Sequence, residues 1–106
     1  MLSEKAIENK FKKEIEKIGG RCEKLSAAYQ SGLPDRLVLL PGGLVFFVEL
    51  KREGGRISPL QKVKRDMVIR LGHNYLLLEG ENGLRECLDI IKHMLCSRRE
   101  VLPNEV

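Results

Sequence analysis

Two runs of consecutive apolar residues, Leu37-Val38-Leu39-Leu40 and Leu44-Val45-Phe46-Phe47-Val48, lie on either side of Pro41-Gly42-Gly43. Strands with one face in water alternate apolar and polar residues, whereas strands buried on both faces are apolar at successive positions. The pair therefore reads as a hairpin, Asp35 to Leu40 and Leu44 to Lys51, in a central sheet covered on both faces by helices. Candidate helices are easily found. Ile7, Phe11, Ile15 and Ile18 recur at helical spacing behind Ser3, a residue suited to capping, and Gly19-Gly20 ends the pattern. Ser58-Pro59-Leu60-Gln61 combines a cap, a proline at the first helical position and a capping-box glutamine; that helix runs to about Leu71, where Gly72 stops it. Leu84, Cys87, Leu88, Ile91 and Leu95 mark a last helix. Short strands are expected at Arg21 to Leu25 and at Tyr75 to Leu78, with a mobile loop from Ser26 to Gly32. The order is α-β-β-β-α-β-α, an α/β domain with a mixed sheet flanked by helices. It forms one domain over residues 1–106, with a short polar tail from about residue 97 containing Pro103.

A length of 106 residues with 42% hydrophobic residues suits one core. Folding at this size buries roughly two thirds of the unfolded surface, so no metal or disulfide staple is required. Cys22, Cys87 and Cys96 are odd in number, widely spaced and without a Cys-x-x-Cys pair, which argues against a zinc site or a disulfide framework and suits a reducing cytoplasm. The charged segment from Ser3 to Lys17 does not resemble a signal peptide, and no apolar run approaches the ~20 residues of a membrane span. Export and membrane insertion are not expected. The formal net charge of +4 is a weak sign of an anionic partner. Its distribution says more: Arg36, Lys51, Arg52, Arg56, Lys62, Lys64 and Arg65 fall between Asp35 and Arg65, a stretch whose acids are Asp35, Glu49 and Glu53.

A three-residue loop at Pro41-Gly42-Gly43 would set Leu40 opposite Leu44, and stepping outward places Asp35 opposite Glu49; a two-residue loop would break this alignment. The two-residue period of a strand sends Lys51 to the side of Glu49 and Leu50 to the other. Facing carboxylates about 5 Å apart would repel by roughly 3 kcal/mol at an effective dielectric near 20. A divalent cation offsets that naturally. Mg²⁺ prefers oxygen ligands and often uses one or two carboxylates plus water and substrate phosphate, and a nearby lysine can orient water and stabilise developing negative charge. The plainer alternative makes Asp35 a turn residue after Pro34, and Glu49 and Lys51 a solvated pair at a strand end. Against it stands the rest of the strand, Val45-Phe46-Phe47-Val48-Glu49-Leu50, in which an acid is out of place unless paired or bound to metal.

Gly32-Leu33-Pro34-Asp35-Arg36, then Val48-Glu49-Leu50-Lys51, then Ser58-Pro59-Leu60-Gln61, occurring in that order, closely resemble the VRR-NUC family of the PD-(D/E)XK nuclease superfamily. The resemblance covers the chain from the first helix to the strand near Tyr75. It implies a restriction-endonuclease-like core, and small stand-alone members of this kind look like phage or bacterial proteins related to Holliday-junction resolvases. Under it, Asp35 and Glu49 bind the metal, the backbone carbonyl of Leu50 adds a ligand, and Lys51 is the catalytic lysine. A first-helix glutamate also belongs to the family's site; Glu8 is the choice, with Glu4 one turn earlier on a similar face, and a solvated helix face is the alternative for both. Gln61 matches a glutamine that supports the site or contacts substrate, a role compatible with its capping box. Arg36, Arg52, Arg56, Lys62 and Arg65 are candidate DNA-phosphate contacts, each equally readable as a solvated surface group.

The reaction implied is Mg²⁺-dependent phosphodiester hydrolysis of DNA, with Mn²⁺ able to substitute and products carrying a 5′-phosphate. Branched DNA such as a four-way junction is the expected substrate, in the cytoplasm of a bacterial cell or a phage-infected host. Symmetric cutting of a junction needs two active sites and hence a homodimer; no membrane or nucleotide cofactor is implied. A flap or nicking nuclease, a non-catalytic DNA-binding module and a purely structural role are the alternatives. His73 and His93 have no metal-ligand spacing. With Tyr29, Tyr75, three Phe and no Trp there is little basis for a single-strand stacking platform. Recognition through backbone phosphates and DNA shape is expected instead.

Overall fold

The computed structural model of the protein describes residues 2–25 and 32–101. Helix α1, Glu4–Lys17, begins where Ser3 accepts a hydrogen bond from the Ala6 N–H, and its stripe Ile7, Phe11 and Ile15 is buried. It ends in a Schellman closure: Gly19 donates to the Glu16 carbonyl and Gly20 to that of Ile15, with Gly19 at φ 87°. Strand β1, Arg21–Lys24, follows at once. The expected loop at Ser26 to Ser31 lies outside the described residues. Strands β2, Arg36–Leu39, and β3, Val45–Lys51, are joined through a single 3₁₀ turn at Pro41–Gly43. Helix α2, Pro59–Arg70, has the full capping box between Ser58 and Gln61 and a Schellman end at Gly72. It connects β3 to β4, Asn74–Glu79, and α3, Gly80–Val101, completes the expected order.

The sheet runs β1-β2-β3-β4, antiparallel up to β3 and parallel between β3 and β4. That parallel step is what the α2 crossover makes possible. One face carries the core: Val38, Phe46, Val48 and Leu78 of the strands pack with Phe11 and Ile15 of α1 and with Leu84, Cys87, Ile91 and Leu95 of α3. The other face is covered by α2 beside β4, with Val68 buried, while Leu39 on β2 remains 40% exposed. The sheet is thus flanked by helices on both sides, but the second cover is partial and leaves room beside β2 and β3. Among the described residues, no helix is long and apolar enough to cross a membrane.

Helix α3 departs from the sequence reading at both ends. The tail expected from residue 97 is helical through Val101, since Ser97-Arg98-Arg99-Glu100 contains no helix breaker and Arg98 Nε donates to the Gly42 carbonyl at 3.0 Å. At its start, Gly80 and Gly83, poor helix formers, obscure the first turn; Gly83 lies against the Leu78 backbone.

Gly20 makes the closest approach in this frame. A Cβ there would lie 2.8 Å from the Leu39 carbonyl oxygen and 2.9 Å from side-chain atoms of Ile15 and Leu40. Gly20→Ala is expected to destabilise the fold by about 1–3 kcal/mol, read from urea unfolding. An unchanged midpoint would mean that the α1–β1 turn moves freely away from β2.

Candidate active site

The β2–β3 register decides the site. Arg36 pairs with Val48 and Leu39 with Val45, and Leu40 donates to the Leu44 carbonyl at 2.9 Å, so the connection has three residues and Asp35 falls opposite Glu49. Gly42 at φ 77° and Gly43 at φ 80° supply the left-handed backbone of this turn. Asp35 bridges the strand ends: its Oδ2 accepts from the Leu50 N–H at 2.9 Å. Glu49, 2% exposed, accepts at Oε2 from Gln61 Nε2 at 3.0 Å, and Lys51 Nζ stands 3.9 Å from the same oxygen. Four predicted residues, Asp35, Glu49, Lys51 and Gln61, are therefore assembled on the sheet face beside α2.

Gln61 serves both expected roles at once. Its N–H donates to Ser58 Oγ at 3.1 Å and its Oε1 accepts from the Ser58 N–H at 2.7 Å, leaving Nε2 for Glu49. The helix cap thereby fixes the rotamer that reaches the carboxylate. Gly32, at φ 87°, lets the chain enter Asp35 close to α2: a Cβ there would lie 2.7 Å from the Leu60 side chain and 3.0 Å from its carbonyl oxygen.

Burial, and then the hydrogen bond and negative charge of Asp35, push the Glu49 carboxyl up to about 7, against the lowering effect of Lys51. Tyr75, which sequence reasoning placed only in a strand, faces the same group. Its hydroxyl is pushed up to about 12 by burial and by the negative charge of Glu49, with Arg65 acting against this and Asp35 with it. The parallel register Phe47↔Tyr75 puts it there, and the sequence carries no signal for that pairing.

The other expected residues are placed differently. Glu8 Oε1 is 2.6 Å from Arg36 Nη2, and Arg36 Nη1 donates to the Asp35 carbonyl at 3.1 Å. Arg36, expected as a phosphate contact, is 7% exposed and committed to these interior partners, because its position in β2 turns it toward α1 rather than solvent. Glu8 is thus engaged on the α1 side and is not gathered with Asp35 and Glu49, while Glu4 is exposed beside Arg52 and Glu53. Arg52, Arg56 and Lys62 are exposed; Arg65 is half-exposed and bonded to Asp66 at 2.9 Å. His73 is exposed, its ring 5.8 Å from that of Phe47.

Among the described residues, no group of three or more His, Cys, Asp or Glu is arranged to hold a metal. Two hard carboxylates held face to face, one of them buried and shedding its charge, nevertheless suit a cation such as Mg²⁺, which takes most of its remaining ligands from water and phosphate. Because the Glu49 carboxyl titrates higher when folded than its ordinary 4.5, the folded state binds the extra proton, and in chelator stability falls as pH rises from about 4.5 to about 7. Glu49→Gln removes that loss while keeping an acceptor for Gln61. In thermal melts with chelator it is expected to exceed the unmutated protein at pH 8, by an amount on the order of 3 kcal/mol, and to lose most of that advantage by pH 5. Equal pH dependence of the two proteins would exclude a strained carboxyl at this position.

No family model matches the chain. A curated relative, "Putative nuclease p44" of Acyrthosiphon pisum secondary endosymbiont phage 1, is 35% identical over 82 residues, covering 77% of this chain and 88% of the relative. A solved structure described as "VRR_NUC domain" superposes with a TM-score of 0.73 at 32% identity, over 85% of this chain and 95% of that one. A second, a "VRR_NUC domain protein", gives a TM-score of 0.67 at 16% identity over 88% of each chain and so shares the fold. The observed strand order is that of a restriction-endonuclease-like core. With identity above 30% over nearly the whole length of the relatives, this chain belongs to the VRR-NUC family.

Proposed function

We propose that the protein is a metal-dependent endonuclease that hydrolyses phosphodiester bonds in branched DNA. The observation that carries the reading is the buried Glu49 carboxylate facing Asp35, with Lys51 and Gln61 on the same oxygen. A nuclease is also what the name of the phage relative says of that protein. Asp35, Glu49 and the Leu50 carbonyl would hold Mg²⁺ or Mn²⁺. Such a cation supplies Lewis acidity toward the phosphate and a water acidic enough to attack.

The chain's own groups do the rest. Glu49 would hold a cation in its charged form, and because burial pushes its carboxyl up to about 7, binding would strengthen as pH rises through that value. Gln61 holds Glu49 in one rotamer. Lys51 keeps a positive charge beside the reacting phosphate, where it orients the attacking water and stabilises charge that builds in the transition state. Exposed Arg52, Arg56 and Lys62 at the ends of β3 and α2 supply backbone contacts to DNA. Leu60, Val63 and Ile69 of α2 and Leu71 at its C-cap are exposed apolar side chains that a second copy of the chain could cover, consistent with the homodimer that paired junction cutting requires.

The test is cleavage of a labelled four-way junction beside linear duplex and flap controls, in Mg²⁺, Mn²⁺ and chelator. Paired metal-dependent cuts confined to the junction are expected. Asp35→Asn and Lys51→Ala should each slow cutting by about 10²–10³-fold or more with little change in DNA binding. Gln61→Ala should cost about 10–100-fold, as loss of a group that orients a ligand. Cutting of flaps or duplex instead would reject the substrate and keep the site; binding without cutting on all three would make the domain a non-catalytic DNA-binding module.

A further inference from the structure

Helix α1 descends and β1 ascends beside it, joined by the tight turn at Ile18 to Gly20, and β1 pairs on its far side with β2 alone. Between α1 and the free edge of β1 lies a polar groove of about 480 Å³, floored by all four residues of β1. Its α1 wall extends from Lys5 to Glu16, about 17 Å of helix, which matches the rise of about five nucleotides of one strand in B-form DNA. Most of its acids are already answered: Glu8 by Arg36 at 2.6 Å and Glu23 by Arg21 at 2.9 Å, leaving Glu16. The side chains of Lys5, Lys12 and Lys24, by contrast, are exposed and make no hydrogen bond or ion pair among the described residues.

Position gives this basic groove its meaning. Lys24 pairs with Arg36 across the β1–β2 ladder, and Leu25 donates to the Asp35 carbonyl at 2.9 Å, so one end of the groove meets the backbone of Asp35 at the end of the sheet, while the Asp35 side chain and Glu49 lie on the sheet's other face. A strand bound at Asp35 and Glu49 that continued past the end of β2 would enter it between Lys24 and Lys5 and pass Lys12.

We propose that the groove between α1 and β1 binds the sugar–phosphate backbone of the DNA arm leaving the cleavage site, with Lys5, Lys12 and Lys24 as its phosphate contacts. The proposal rests on the nuclease reading above. It explains why these three lysines line one groove without ion-pair partners among the described residues, and it assigns α1 a part in substrate binding that none of the phosphate contacts expected from the sequence includes.

The experiment compares two triple variants of equal charge: Lys5→Gln with Lys12→Gln and Lys24→Gln in the groove, and Lys10→Gln with Lys13→Gln and Lys92→Gln outside it. Binding of a labelled four-way junction is followed by anisotropy in chelator over a range of salt, after circular dichroism melts establish that both variants fold. The groove variant is expected to bind about tenfold or more weakly at low salt, with a slope of log K against log salt shallower by about 2 to 3, because three phosphate contacts release fewer counterions. The outer variant should keep nearly the original slope. In Mg²⁺, the groove variant should show a raised KM with kcat little changed. Equal losses in both variants, an unchanged slope in the groove variant, or no binding by the unmutated protein would overturn the proposal. Cutting by the unmutated protein is scored separately: slope loss without any cutting would support the groove while rejecting the nuclease.

Discussion

A carboxylate that is 2% exposed within an apolar strand is costly unless something answers its charge, and Glu49 is answered from two elements at once. The Gln61 amide comes from α2 and the Lys51 ammonium from its own strand, while Asp35, set opposite by the β2–β3 register, adds negative charge that favours the protonated form of Glu49. Each of these depends on a separate piece of the fold. The three-residue turn at Pro41–Gly43 sets the register that brings Asp35 across, the strand period aligns Lys51, and the α2 crossover carries Gln61 back over β3. Moving Gln61 or Lys51 away would leave the buried carboxylate without a partner, so the site and the sheet constrain each other.

The same economy appears at the helix ends. Gln61 closes the capping box of α2 through its backbone and Oε1 and still has Nε2 to give to Glu49. Local helix geometry thus orients a group of the site, and little side-chain entropy remains to be lost when substrate arrives. On the opposite face, Arg36 ties the start of β2 to α1 through Glu8 and holds the Asp35 carbonyl. The backbone of Asp35 is therefore anchored from the α1 side while its side chain faces α2 and Leu50. An arginine next to Asp35 is easily read as a contact for phosphate; here it is a strut.

Partial cover of the sheet is the second consequence. One face is sealed by α1 and α3, and the other only beside β4, where α2 lies. Covering that face completely would close off Asp35 and Glu49. Leaving it open beside β2 keeps an approach for an anionic ligand, at the cost of exposed Leu39. Tyr75 enters the site through the same arrangement, since only the parallel β3–β4 pairing places it on the face of Glu49.

The sequence by itself determined the elements, their order and the central constellation. Those depend on local chemistry: helical stripes such as Ile7, Phe11 and Ile15, the Ser58 to Gln61 cap, glycines at Schellman ends, and a Gly-Gly turn short enough to dictate a register. Asp35, Glu49 and Lys51 could be brought together on paper because a hairpin is a local structure whose pairing follows from loop length. Only the tertiary structure decided the remainder. Arg36 and Glu8 meet through the packing of α1 on β2, Tyr75 joins Glu49 through a strand pairing across an intervening helix, and α3 persists beyond residue 97 by bonding to a turn some fifty residues earlier. Those contacts join elements distant in sequence, and side-chain periodicity, which tells a residue which face it occupies, does not tell it what will be packed against that face.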